Sequence, residues 1–132
     1  MADLQQAAIG GYVFGNEWQQ EYERLSLMEA GWDPYSVHNL STLGDMTGWR
    51  CLEVGAGGGS ISRWLAAQAG PSGQVLATDL DVRLLERIPS PPNLEVRRHN
   101  IVTEEVEQGV YDLVHTRLVL EHLPERQAVL QR

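Results

Sequence analysis

Residues 51–60 read CLEVGAGGGS: an apolar run carrying one glutamate, then four glycines in five positions, then a serine. A glycine loop between a strand and a helix lets a ligand approach the backbone closely, beside the partial positive charge of the helix N-terminus. RCLEV (50–54) predicts the strand. SISRWLAAQA (60–69) predicts the helix, with Ser60 as its cap, Ile61, Trp64 and Leu65 inward, and Gly70-Pro71 as its stop. The same alternation continues downstream, with QVLAT (74–78), LEVRRH (94–99) and YDLVH (111–115) as further strands. Asp81 is placed to cap a short helix holding Leu84, Leu85 and Ile88 before Pro89, and PERQAVLQR (124–132) begins another helix. Strands alternating with helices imply parallel pairing through right-handed crossovers, hence an α/β sheet covered on both faces.

Upstream of the strand the pattern is helical. NEWQQEYERLSLME (16–29) spaces Trp18, Tyr22, Leu25 and Met28 on one face, with Asn16 as cap and Gly31 as stop. Asp33 and Pro34 offer a cap and first-turn proline for a second helix carrying Val37, Leu40 and Leu43 up to Gly44. The expected division is a helical segment over 1–48 and a nucleotide-type domain over 49–132.

A chain of 132 residues with a formal net charge of -8 lacks the basic surface that nucleic acid or an anionic membrane requires. Small ligands suit it better. The single cysteine, Cys51, stands in an apolar run without a CxxC partner, which reads as a buried strand residue in a reducing cytoplasm. No apolar run approaches the roughly 20 residues that cross a bilayer. The run TEEVEQ (103–108) reads as a solvated acidic loop.

Three ligand classes compete for the glycine loop. A P-loop needs Gly-Lys-Ser/Thr, and the loop has no lysine. A dinucleotide fingerprint counted from Gly55 reaches Gly57 but meets Ser60 in place of its third glycine, and Glu53 would repel a pyrophosphate. A hydrolase elbow around Ser60, with His115 and Asp112 elsewhere, lacks the sharp turn directly off the strand. Glu53 suits a ligand carrying positive charge. S-adenosylmethionine combines adenine, a ribose diol, a carboxylate, an ammonium and a sulfonium, and VLATDLD (75–81) supplies a ribose acceptor in Asp79, 20 residues after Gly59.

At this point the sequence resembles the class I S-adenosylmethionine-dependent methyltransferases, over roughly residues 12–130. CLEVGAGGGS is similar to the family's E/D-x-G-x-G-x-G motif, VLATDLD to its ribose-binding acidic motif, and YDLVHTRLVLEHLPER to its fourth strand and the segment beyond. Within the family the likeness is to small-molecule enzymes of the quinone-biosynthesis kind, the type 11–12 methyltransferase domains. The resemblance implies a Rossmann-like parallel sheet of strand order 3-2-1-4, with relatives continuing through a Leu-x-Pro-Gly-Gly turn into strands five to seven, which are missing here. It implies that Glu53, Gly55, Ala56, Gly57 and Gly59 form the loop beneath the methionine portion and that Asp79 binds both ribose hydroxyls. Leu80 would pack on adenine, Asn100 beside Ile101 would accept from the adenine amine where the family usually has aspartate, and backbone at His115 and Thr116 would face the ammonium.

The implied chemistry is methyl transfer to a small-molecule acceptor, with no metal and no assigned catalytic base. His115 and His122 are candidates for acid or base, and equally for packing or capping. Tyr12, Trp18, Tyr22 and Arg24 suit either a lid or plain amphipathic packing. A non-catalytic cofactor-binding or scaffold module, and an NAD(P)-binding protein, stand as alternatives. With strands five to seven missing, the fourth strand becomes an unprotected edge, so the chain is expected to self-associate, as a homodimer through that edge or through N-terminal helices.

Overall fold

The structure is a computed structural model that describes residues 7–9, 12–14 and 16–132, with side chains from residue 17 onward. Two short strands, β1 (Ala7–Ile9) and β2 (Tyr12–Phe14), pair antiparallel with Ala7 opposite Phe14. Sequence reasoning passed over this ribbon, although Gly10-Gly11 between two apolar triplets is a hairpin signal. The expected capping side chain of Asn16 and the lid side chain of Tyr12 lie outside the described residues.

One helix, α1 (Asn16–Ser41), replaces the two expected. Gly31 does not stop it and Pro34 lies inside it. An interior proline removes one helical hydrogen bond and costs roughly 3 kcal/mol, so packing must hold the helix through that point. Arg117 supplies part of it, pairing with Asp33 at 2.9 Å and donating to Ser36 Oγ at 3.0 Å on either side of the proline. The next turn is anchored by Leu40, buried in the core with Val37 against it. Leu43, expected on a helix, sits in the turn beyond Ser41 and is half exposed.

The main sheet is parallel and built from β3 (Arg50–Val54), β4 (Gln74–Asp79), β5 (Leu94–Arg98) and β6 (Leu113–Thr116), in the order β5-β4-β3-β6. Counted from β3, this is the 3-2-1-4 order. Helix α2 (Ser60–Ala69) follows β3, α3 (Arg83–Arg87) follows β4, and a 3-10 turn (Leu120–His122) and α4 (Arg126–Leu130) follow β6. Gly59, at φ +85°, occupies the N-cap position of α2, and Ser60 is its first helical residue rather than its cap. Asp81 braces α3 as expected, accepting from the Arg83 N–H at 3.1 Å, although the N-cap position is Val82.

Alternation along the strands sorts two faces. Cys51, Val75 and Ala77 pack with Ile61, Leu65, Leu40 and Met46 beneath α1 and α2. Leu52, Val54 and Leu76 turn the other way, against Ile101, Val106 and Tyr111. Helical cover on both faces was expected, and the second face is instead covered by the segment after β5, which Arg132 ties to the chain end through the Val102 and Glu104 carbonyls. Val114, the register partner of Leu52 on that face, remains 59% exposed.

Two glycines test this packing. A Cβ on Gly73 would stand 2.7 Å from the Trp49 carbonyl oxygen, whereas one on Gly31 meets nothing within 4 Å. Gly73→Ala should destabilise by about 1–3 kcal/mol and Gly31→Ala should stabilise by about 0.5–1 kcal/mol, as read from urea midpoints.

Candidate functional site

The loop after β3 folds back over the end of β4. Gly55 and Ala56 N–H groups both donate to the Thr78 carbonyl at 2.9 Å, and the Gly57 N–H donates to Asp79 Oδ2 at 2.9 Å. Gly57 reaches this position at φ +60°, a conformation that glycine adopts without strain. Asp79 also accepts from the Leu80 N–H at 2.7 Å, so its carboxylate is fixed at the carboxyl end of β4. Thr78 secures the neighbouring strand by donating to the Glu53 carbonyl at 2.9 Å.

A cleft of about 270 Å³ opens here. Of the residues singled out in the sequence, Glu53, Gly55, Ala56, Gly57, Asp79, Leu80, Asn100 and Ile101 line it. Gly59, His115 and Thr116 are not on its wall. Gly59 is buried against Leu85 and Arg63, and Thr116 donates to the Val54 carbonyl at 3.0 Å. Asn100 uses its side-chain oxygen locally, accepting from the Val102 N–H at 3.0 Å, while its own N–H donates to Glu104.

Glu53 is not a free carboxylate. It is 4% exposed, accepts from the Ser62 hydroxyl on one oxygen, and meets His115 Nδ1 at 3.0 Å with the other. Parallel register explains the histidine, since Glu53 and His115 are partners on adjacent strands. The sequence showed no orienting partner for His115 because 62 residues separate the pair. This chain is not a hydrolase triad. Ser60, the serine of the expected elbow, hydrogen-bonds Glu29 rather than His115, Ser62 is fully buried against Glu53, and Asp112 is engaged at the far end of the sheet by the Arg50 N–H at 2.8 Å. Cys51 is equally inert, its thiol pushed up to about 11 by burial and by Asp112.

Sequence reasoning missed one wall of the cleft. It named Trp18, Tyr22 and Arg24, but α1 presents Leu25, Met28, Glu29 and Trp32, about a turn further along. Trp18 lies under the guanidinium groups of Arg83 and Arg87, at 4.7 and 5.3 Å, and Arg24 pairs with Glu21 at the surface. The opposite wall is Arg117, Leu118, Val119 and Leu123. Leu118 holds φ +59°, a left-handed conformation that costs a leucine roughly 1–2 kcal/mol, and Val119 presses on Gly55 so closely that any Cβ there would overlap it. Arg117 meets Asp33 as an ion pair rather than a well-angled hydrogen bond. Helical period placed Leu25 and Met28 on the face that reaches the cleft, as packing residues, but gave no sign of Glu29 or Trp32.

Glu29 is held above the usual carboxylate range, chiefly by burial, against a lowering hydrogen bond from Ser60. Its carboxyl rests on the backbone of Gly58, where a Cβ would overlap Oε1. Arg63, beside it, donates to the Gly58 carbonyl at 2.7 Å, and burial lowers its own pKa.

The parallel sheet of order β5-β4-β3-β6, with its glycine loop and cleft at the carboxyl ends of the strands, defines a Rossmann-like α/β domain. Residues 52–132 match the methyltransferase domain family, and the chain belongs to it. Among curated proteins it is 33% identical over 115 residues to methyltransferase str2 of Strobilurus tenacellus, covering 85% of this chain and 40% of that protein. It is 32% identical over 130 residues to a ubiquinone biosynthesis O-methyltransferase of Bordetella avium, covering 86% and 54%. The chain thus spans about half the length, or less, of these relatives. Among solved structures it is similar in fold to an S-adenosylmethionine dependent methyltransferase from Mesorhizobium loti (TM-score 0.61, 22% identity, 69% of this chain and 42% of that one). The same holds for one from Aquifex aeolicus (TM-score 0.58, 24% identity, 75% and 55%).

The raised pKa of Glu29 has a consequence for stability. The native state holds this proton more tightly than the unfolded chain, so the contribution is full below the unfolded value of about 4.3 and is lost as pH rises through the folded one. Glu29→Gln, which mimics the protonated form, should melt higher than the parent at pH 7.5 and level with it at pH 4, by calorimetry at both pH values.

Proposed function

We propose that this chain is the cofactor-binding part of an S-adenosylmethionine-dependent methyltransferase acting on a small molecule. The observation that carries the reading is Asp79: a carboxylate at the end of β4, held by the N–H groups of Gly57 in the glycine loop and Leu80 just beyond the strand, and lining the cleft. A ribose diol offers two donors to such an acceptor. Leu80 and Ile101 supply apolar surface for adenine, and the glycine loop leaves room for the methionine portion. Glu29, Glu53 and Asp79 together make the lining acidic, which disfavours the pyrophosphate of a dinucleotide and favours a cationic ligand.

S-adenosylmethionine, when bound, supplies a methyl group already activated by the sulfonium. The chain's own residues hold, orient and shield: Asp79, Leu80 and Ile101 hold the nucleoside end, the glycine loop backs the methionine portion, and Leu25, Met28 and Trp32 of α1 keep water from the reacting end. Such alignment needs no dedicated base when the acceptor ionises readily. The name of the Bordetella relative suggests a hydroxylated small-molecule acceptor. A net charge of -8 suits neither nucleic acid nor an anionic membrane. No helix among the described residues is long and apolar enough to cross a membrane, and the reduced, buried Cys51 fits a cytoplasmic protein.

Titration tests the reading. S-adenosylmethionine should bind and NAD should not, and Asp79→Ala should weaken binding by about 1.5–3 kcal/mol while Asp81→Ala leaves it unchanged. Equal losses at the two aspartates, or preferential NAD binding, would overturn it.

The open edge supports self-association. Among the described residues β6 pairs only with β3, and Val114 stands exposed on it. The chain should sediment as a dimer or larger at micromolar concentration, and Val114→Lys should shift it toward monomer.

A further inference from the structure

We propose that Glu29 of α1 is the counter-charge for the sulfonium in the methionine end of the ligand, so that this helix distinguishes the methyl donor from its demethylated product. The inference rests on the cleft being an S-adenosylmethionine site. Two carboxylates besides Asp79 line it near the glycine loop, and they differ in what already occupies them. Glu53, which the sequence suggested for this role, is sealed by Ser62 and His115. Glu29 lies on the cleft wall and forms no ion pair among the described residues: Arg117 and Arg63 act on it only as nearby charges, Arg117 pairing with Asp33 and Ser36 and the Arg63 Nη1 donating to the Gly58 carbonyl.

A half-buried carboxyl resting on the loop backbone, without a paired cation, gains most from a ligand that brings one. Burial raises its pKa, and the Ser60 hydrogen bond and the charges of Arg117 and Arg63 offset that only in part. Gly58 makes the approach possible, because any side chain there would overlap the carboxyl. The ligand's charge changes during the reaction. In transfer, an acceptor lone pair forms a bond to the methyl carbon, the carbon–sulfur bond breaks with its electron pair staying on sulfur, and the acceptor proton passes to water. S-adenosylmethionine, with one net positive charge, becomes S-adenosylhomocysteine, which keeps the ammonium and carboxylate as a net-neutral zwitterion and has lost the sulfonium charge. Attraction to Glu29 falls at that step, which loosens the helix whose Leu25, Met28 and Trp32 roof the cleft and favours product release.

Calorimetric titration of the 132-residue chain with three ligands tests this: S-adenosylmethionine, sinefungin, which carries an amine in place of the sulfonium and donates no methyl, and S-adenosylhomocysteine. Glu29→Gln should weaken the two cationic ligands roughly tenfold and the neutral product by no more than about threefold. Glu29→Asp, which keeps the charge, should retain the preference. Equal losses for all three ligands, no loss at all, or a Glu29→Gln chain that fails to fold would overturn the proposal. Failure of the unaltered chain to bind any of the three would instead overturn the methyltransferase reading, so the two outcomes are separable.

Discussion

Everything at this site depends on one backbone crossing. The chain leaving β3 must turn over the end of β4 before it can start α2, and it does so by giving two N–H groups to the Thr78 carbonyl and a third to the Asp79 carboxylate. Those bonds fix three things together: the end of the sheet, the start of the helix and the orientation of the acidic side chain. Ordinary side chains on the loop would collide with what lies against it, Val119 at Gly55 and Glu29 at Gly58. The glycines therefore serve the protein's own closure as well as any ligand.

A second set of polar contacts ties distant parts of the chain to that crossing. Ser62, Glu53 and His115 link α2, β3 and β6 through a nearly water-free carboxylate. Removing either partner would leave buried charge under-satisfied, which is costlier than never having placed it there. Arg117, just beyond β6, reaches α1 at Asp33 and Ser36. The cleft is thus framed by elements that are remote in sequence, with α1 held to the sheet from both β6 and the core.

The division of labour between the carboxylates follows from solvation. Asp79 keeps contact with the cleft while accepting from the backbone N–H groups of Gly57 and Leu80. Glu53 is committed to the protein interior. Glu29 lies between these cases, desolvated enough for its pKa to rise yet open to the cleft. Three similar side chains within one site consequently have three different capacities for a ligand.

The sequence by itself determined the alternation of strands and helices, because period and glycine-proline punctuation are local properties. The bounds of β3 and α2 and the 3-2-1-4 order follow that pattern closely. So does the placement of Asp79 and the glycine loop on one cleft, since both sit at the carboxyl ends of parallel strands. Tertiary structure alone decided the rest. Pro34 reads locally as a helix start, but anchoring by Arg117 and Leu40 outweighs its cost and joins two expected helices into one. Glu53 reads locally as a free acid, but parallel register sets His115 against it across 62 positions. Glu29 was invisible as a site residue, because only the packing of α1 onto Gly58 brings it to the loop. Contacts between residues far apart in the chain leave no period or motif in the sequence, and the cleft's second wall is made almost wholly of such contacts.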